Sequence, residues 1–234
     1  MKISILLFFV LVVVNCTSPT TAQSTSESQD SSLAENDPPV SATEGFKIAV
    51  ISDLNRSYGS TSYSKPVSQA IDLISSKETQ IDFVISTGDM VAGQKSNLDY
   101  AAMWESFHAT VTRPLNRAQI PLLPSPGNHD AYVSRAVERQ HYKKSWLGEE
   151  TNQFSSKVRL VEGVTQNYPF QYAFKRAGVL FIGLDNTSAS PWTEKTFSWL
   201  REVLKKEQKA RIKVIFGHIP LLPFAVNKET EYVA

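Results

Sequence analysis

Apolar and polar positions divide the chain into three regimes. Residues 3–14 form an apolar run behind Lys2, broken only by Ser4. Residues 17–44 are rich in Ser, Thr, Asn, Asp and Pro and have almost no large apolar side chain. From Phe46 onward, short apolar bursts alternate with stretches of helical period. Bursts at 47–52, 81–86, 120–123 and 213–216 predict buried strands. Between them, Pro66 opens a helix with Val67, Ala70, Ile71, Leu73 and Ile74 on one face. A second helix spans 98 to about 115, with Tyr100, Met103, Trp104 and Phe107 at helical spacing. A third runs over 131–146, and a fourth over 193–206 with Phe197, Leu200 and Leu204 inward. Segments 171–174 and 179–184 flank Arg176-Ala177-Gly178 and predict a hairpin. Strands alternating with helices predict an α/β domain over 46–234.

The first two regimes predict export. A twelve-residue apolar stretch is too short to span a bilayer but suits the apolar part of a signal peptide. Two processing routes stay open. Thr20-Thr21-Ala22 offers a signal peptidase site, giving a signal peptide over 1–22. Val13-Val14-Asn15-Cys16 resembles a bacterial lipoprotein box with a signal over 1–15, so that a lipidated Cys16 would tether the protein to a membrane. Either route places the chain in the cell envelope or outside the cell. Residues 17–45 cannot bury enough apolar surface to order themselves and are expected to be a disordered linker. Cys16 is the only cysteine, which excludes an intramolecular disulfide. A net charge of +1 gives no sign of a basic nucleic-acid surface.

Candidate chemistry lies just after the strands. They run into Asp53-Leu54-Asn55, Gly88-Asp89, Gly127-Asn128-His129-Asp130 and Gly217-His218. Open α/β sheets bind ligands outside the carboxyl ends of their strands, so these four segments converge on one edge. Carboxylates with imidazoles suit Mn, Fe, Zn or similar divalent ions, and a bridging carboxylate suits a two-metal hydrolase. Each segment alone is a common turn or strand end; all four in this order are not.

The set Asp53, Gly88-Asp89, Gly127-Asn128-His129-Asp130 and Gly217-His218 resembles the calcineurin-like metallophosphoesterases. Asp53-Leu54-Asn55 with Tyr58-Gly59-Ser60 is similar to an exported bacterial branch. The resemblance implies a four-layer sandwich, two packed β-sheets flanked by helices, that hydrolyses phosphate mono- or diesters with metal-activated water. It further implies that Asp53 binds a first metal, Asp89 bridges two, and Asn128 and His218 bind the second. His129 would contact the phosphate and protonate the leaving oxygen. Asn55 stands where most of the family has a ligand histidine. Asp130 is a candidate to orient His129 by a hydrogen bond. Arg56 and Tyr58 are candidates to contact the phosphate of the substrate.

The family also carries a later Gly-His-x-His, and no histidine follows His218. The domain is therefore expected to be incomplete at its C-terminus, with strands of the second sheet missing. A vestigial or low-activity phosphoesterase-fold binding protein of the envelope is the alternative. A surface lipoprotein with an unrelated ligand is a third. His108 is expected to be structural and His141 solvent-facing. Trp146, Trp192 and Trp199 are expected to serve packing. Asp185-Asn186 is either a turn or part of the cleft.

Overall fold

The computed structural model describes residues 45–148, 159–187 and 193–220. The expected leader, the linker up to residue 44, and Trp192 lie outside the described residues.

Two sheets form. The first is parallel throughout, ordered β1 (Ile48–Ile51), β2 (Phe83–Ser86), β3 (Leu122–Pro124). The second is ordered β4 (Arg159–Leu160), β5 (Tyr172–Arg176), β6 (Val179–Gly183), β7 (Ile212–Phe216). There β4, β5 and β6 run antiparallel, and β7 joins β6 in parallel. The β5–β6 hairpin turns at Ala177 and Gly178, both at positive φ. The two-residue strand β4 has no sequence signal, because a pair of residues carries no periodicity.

Alternation along the strands builds the layers. Phe83, Ile85 and Leu123 point from the first sheet into one core with Tyr172, Phe174, Phe181 and Phe216 of the second. The facing residues of the first sheet, Ala49, Ile51, Val84 and Leu122, meet the helices α1 (Lys65–Ser75), α2 (Tyr100–Phe107) and α3 (Arg113–Arg117). Ala173, Leu180 and Ile182 leave the second sheet outward, to meet Trp199, Leu200, Val203 and Leu204 of α6 (Glu194–Lys206). The result is helix, sheet, sheet, helix. Phe83 packs edge-on against Phe181 with centroids 5.3 Å apart, an arrangement that suits ring quadrupoles. Each buried aromatic in this layer contributes on the order of 2–3 kcal/mol by burial.

Several expectations need correction. Leu73 is 62% exposed. It sits about 200° around the helix from Ile71, so it cannot share the face that Val67, Ile71 and Ile74 bury. Phe197, in the first turn of α6, is exposed, with the Arg201 guanidinium over its ring. The helix expected over 98–115 widens into a π-helical segment, His108–Thr112, before α3. Pro114 has no N–H to continue an α-helix, and its ring would meet the carbonyl four residues back; the wider turn avoids that clash. The helix expected over 131–146 is two helices, α4 (Asn128–Ala131) and α5 (Ala136–Leu147). Tyr132, at φ −52 and ψ 138, breaks between them without a Gly or Pro to mark it.

His108 is structural: it is buried, with Nδ1 3.1 Å from the Thr112 hydroxyl. His141 is only half-buried, its ring 5.5 Å from that of Tyr100. Trp146 is buried among Trp104, Phe107 and Tyr142, and Trp199 donates its indole N–H to the Val164 carbonyl at 2.8 Å.

Candidate metal centre

The three parallel strands of the first sheet end on the same side, and β7 brings a fourth end to it. The two sheets are tied there by the Tyr172 hydroxyl, which donates to the Pro124 carbonyl at 2.7 Å, and by Ser125, which donates to Leu184 at 2.9 Å. The post-strand loops then stitch to one another. Asp53 N–H donates to Gly88 at 3.0 Å, and Asn55 N–H to Asp89 at 3.1 Å.

Asp53 and Asp89 share an unusual backbone: both lie at φ 55, in the left-handed region. Aspartate tolerates that region better than most residues, and the turn swings each carboxylate off its strand axis. Asp89 fits only because Gly127 lies against it. A β-carbon at Gly127 would collide with the Asp89 backbone nitrogen and carboxylate. Gly88, at φ +109, is equally tight; its β-carbon would come within 2.5 Å of the Gly127 nitrogen.

Ligand atoms of Asp53, Asp89 and His218 all lie within 4.8 Å of one another. Asn128 joins them, its Oδ1 2.8 Å from His218 Nε2. Four side chains from four strand ends thus meet at one point. Asn55 stands beside them, with its amide nitrogen donating to the Val91 carbonyl at 3.3 Å. That bond leaves the neutral Oδ1 as the only atom with which Asn55 could bind a cation.

His218 shows what the cluster suits. Its Nδ1 is 3.0 Å from the Thr87 carbonyl, an acceptor that requires hydrogen on Nδ1. In that tautomer Nε2 presents a lone pair. Yet Nε2 faces Asn128 Oδ1 at 2.8 Å and Asp89 Oδ1 at 3.5 Å, both electron-rich oxygens. Three converging lone-pair donors can share one cation, so these residues fit a divalent ion. Burial pushes the Asp89 carboxyl up from its usual range, opposed by His218 and by the His129 N–H. A bound cation would reverse that penalty.

His129 lies at the rim, its side chain 23% exposed and Nε2 3.9 Å from Asp89 Oδ2. Its main-chain N–H donates to Asp89 Oδ1 at 2.9 Å, and its Nδ1 is buried without a hydrogen-bond partner among the described residues. The half-exposed Tyr58 ring packs 5.4 Å from the imidazole, with the Lys95 ammonium 4.2 Å over it. Arg56 is exposed and makes no ion pair among the described residues.

Asp130 does not orient His129. It is fully buried; Oδ1 accepts from Val91 N–H at 2.8 Å and Oδ2 from Gly127 N–H at 2.9 Å. The carboxylate is occupied in bracing two loops, and burial, with Asp89 nearby, pushes its pKa up. Asp130→Asn would turn an NH₂ toward one of those N–H groups and leave a buried donor unmatched, costing roughly 1–3 kcal/mol. The melting temperature is expected to fall by roughly 5 °C. An unchanged melting temperature would show that the brace carries no weight.

Of Asp185-Asn186, read from sequence as either a turn or part of the cleft, only Asn186 serves the site, while Gln94 and Lys95 carried no sequence signal. Asn186 is buried, and its Oδ1 accepts from His218 N–H at 2.7 Å while Nδ2 donates to Ile219 at 2.6 Å, fixing the loop that aims His218. Asp185 is turned away to Arg139, at 2.7 Å. Gln94 and Lys95 approach the 128–129 turn and Tyr58 from the loop after β2.

A family model, calcineurin-like phosphoesterase, matches residues 46–233. The chain belongs to that family. No curated protein matches it. Among solved structures it is similar to a purple acid phosphatase from yellow lupin (Lupinus luteus) seeds, at TM-score 0.47 and 14% identity. That likeness covers 76% of this chain and 34% of the lupin chain, so this chain spans about a third of that relative's length. It is also similar to a dimetal phosphatase from Danio rerio, at TM-score 0.46 and 14% identity, over 78% of this chain and 72% of the other.

Proposed function

We propose that this domain hydrolyses phosphate mono- or diesters and that it does so with divalent ions of the Mn, Fe or Zn kind, two when fully loaded. The observation that carries this is the meeting of Asp53, Asp89, Asn128 and His218, with His218 Nε2 facing oxygens alone. Bound ions would supply acidified water and neutralise the phosphate oxygens.

The chain's own residues do the rest. Asp89, central and buried, would hold bound ions through its fixed negative charge. Asp53, the Asn55 amide oxygen, Asn128 and His218 would supply the other donors. Thr87 and Asn186 hold the His218 ring and backbone in place, as outer partners of a ligand do. His129, at the exposed rim, donates a proton to the leaving oxygen. Tyr58 restricts the imidazole to one side. Arg56 is free to pair with a phosphate oxygen; Arg56→Ala should raise KM for p-nitrophenyl phosphate more than it lowers kcat.

A second reading, an ion-binding fold with little turnover, draws on Asn55, whose neutral oxygen is a weaker ligand than a histidine. One experiment separates the two. Purified full chain is assayed on p-nitrophenyl phosphate and bis-p-nitrophenyl phosphate, before and after chelation, and after adding back Mn, Zn or Fe. Chelator-sensitive, metal-restored release of nitrophenol is the expected result. Metal binding with no turnover would favour the second reading, and no metal binding would sink both.

We also propose that the chain is exported, on the strength of the apolar run behind Lys2. Fatty-acid labelling that disappears in Cys16→Ser would favour the lipid tether, and a mature N-terminus at Gln23 the soluble route.

A further inference from the structure

The loop after β2 touches the ligand-bearing turn in a way that the ligand set does not require. Gln94 lies at φ 71, a conformation that glycine adopts at less cost. Its side-chain Nε2 donates to the main-chain carbonyl of Asn128 at 2.9 Å. The preceding Gly93 N–H donates to the carbonyl of His129 at 3.0 Å. Two successive carbonyls of the Asn128-His129 turn are therefore gripped from outside, while Asn128 Oδ1 and the His129 ring face the site.

That grip is anchored in a helix. Gln94 N–H donates to Glu138 Oε1 at 2.9 Å, and Glu138, on α5, is 2% exposed. The same oxygen lies 2.8 Å from the Tyr100 hydroxyl and 3.5 Å from Arg135. The Tyr100 hydroxyl, on α2, also lies 2.8 Å from the carbonyl of Lys95, so its one hydrogen is shared between the two oxygens. Helices α2 and α5 thus fix residues 93–95, and residues 93–95 fix the turn.

We infer that Gln94, seated by Glu138, is a positioning residue that sets the Asn128-His129 turn for ion binding and proton donation. The inference rests on the phosphoesterase reading above. Rotation of the Asn128 peptide would swing Oδ1 away from His218 Nε2, 2.8 Å away, and would turn the His129 ring with it. Outer partners that orient metal ligands change affinity by about 10–100-fold when removed.

The test uses the full chain, manganese as probe, and two variants. Gln94→Gly relieves the left-handed backbone and removes the side chain with its amide. Gln94→Met keeps the length but has no donor. Manganese affinity by calorimetry is expected to fall about 10-fold or more in both, with kcat lowered and KM for p-nitrophenyl phosphate nearly unchanged. The metal-free melting temperature of Gln94→Gly is expected to equal or exceed that of the unaltered chain, which a merely structural role would not give. Unaltered manganese affinity in Gln94→Gly overturns the inference alone. Should that variant melt lower, unaltered affinity in Gln94→Met overturns it instead. Where the unaltered chain binds zinc or iron but not manganese, the same comparison is made with that ion; an unaltered chain that binds none of the three overturns the phosphoesterase reading, and this inference with it.

Discussion

Asp89→Asn is expected to abolish tight ion binding and to lower kcat/KM by about 10³-fold or more, the scale seen when charge stabilisation is withdrawn from a reacting centre. The substitution is chosen over alanine for a specific reason. Asp89 Oδ1 accepts the His129 N–H at 2.9 Å, and an asparagine oxygen can keep that bond. Only the charge and one donor atom are lost. The metal-free chain should respond in the opposite direction. Burial raises the folded carboxyl above its ordinary 3.8, so the unfolded chain ionises first as pH rises. The folded state then binds more protons than the unfolded one, and its stability falls with rising pH across that window. In metal-free protein near pH 7, Asp89→Asn removes this penalty and should melt no lower than the unaltered chain. Well below the ordinary 3.8 the carboxyl is protonated in both states, and the difference should close. Melting curves with chelator at the two pH values measure it. A variant that melts lower at neutral pH but still binds ions would show that Asp89 is structural.

The site was legible where the chemistry sits next to a strand end in sequence. Asp53, Asp89, Asn128 and His218 each follow a short apolar burst, and parallel strands bring such positions to one side. The contacts that hold those four in place were not legible, because the partners are far away along the chain, and Asp185-Asn186 reads equally as a turn or as part of the cleft. Gln94 reaches across 34 residues to Asn128, and Asn186 across 32 to His218. Neither distance leaves a mark in local pattern. Asp130 shows the opposite hazard. Adjacency to His129 suggested a partnership, but α4 begins at Asn128, and the helical turn carries neighbouring side chains in different directions. The strands were legible as apolar bursts, whereas the four layers were legible only through the family resemblance. The break at Tyr132 was not, since no Gly or Pro interrupts the apolar spacing there. Leu73 is apolar yet exposed, because helical geometry sets it off the face that Val67, Ile71 and Ile74 share.

His129→Ala is expected to separate ion binding from proton donation. The ring's nearest ligand approach is Nε2 to Asp89 Oδ2 at 3.9 Å, longer than a shared hydrogen bond. Its main-chain N–H is what supports Asp89, and alanine keeps that group. Nδ1 has no hydrogen-bond partner among the described residues, so removing the ring orphans nothing there. Metal content should therefore stay close to that of the unaltered chain. Turnover should not. Without a positioned acid, a leaving alkoxide departs unprotonated, and loss of general-acid catalysis costs about 10²–10⁴-fold. A nitrophenolate leaves readily as the anion and needs little help. The loss should thus be largest on alkyl phosphate esters and small on p-nitrophenyl esters, giving a steeper dependence of kcat on leaving-group pKa in the variant. The pair of measurements is metal analysis of the purified variant and kcat across a series of esters graded in leaving-group pKa. A uniform loss across that series would remove His129 from proton donation. A drop in bound metal would make it a ligand instead, since the ring is then needed where the main chain alone was argued to suffice.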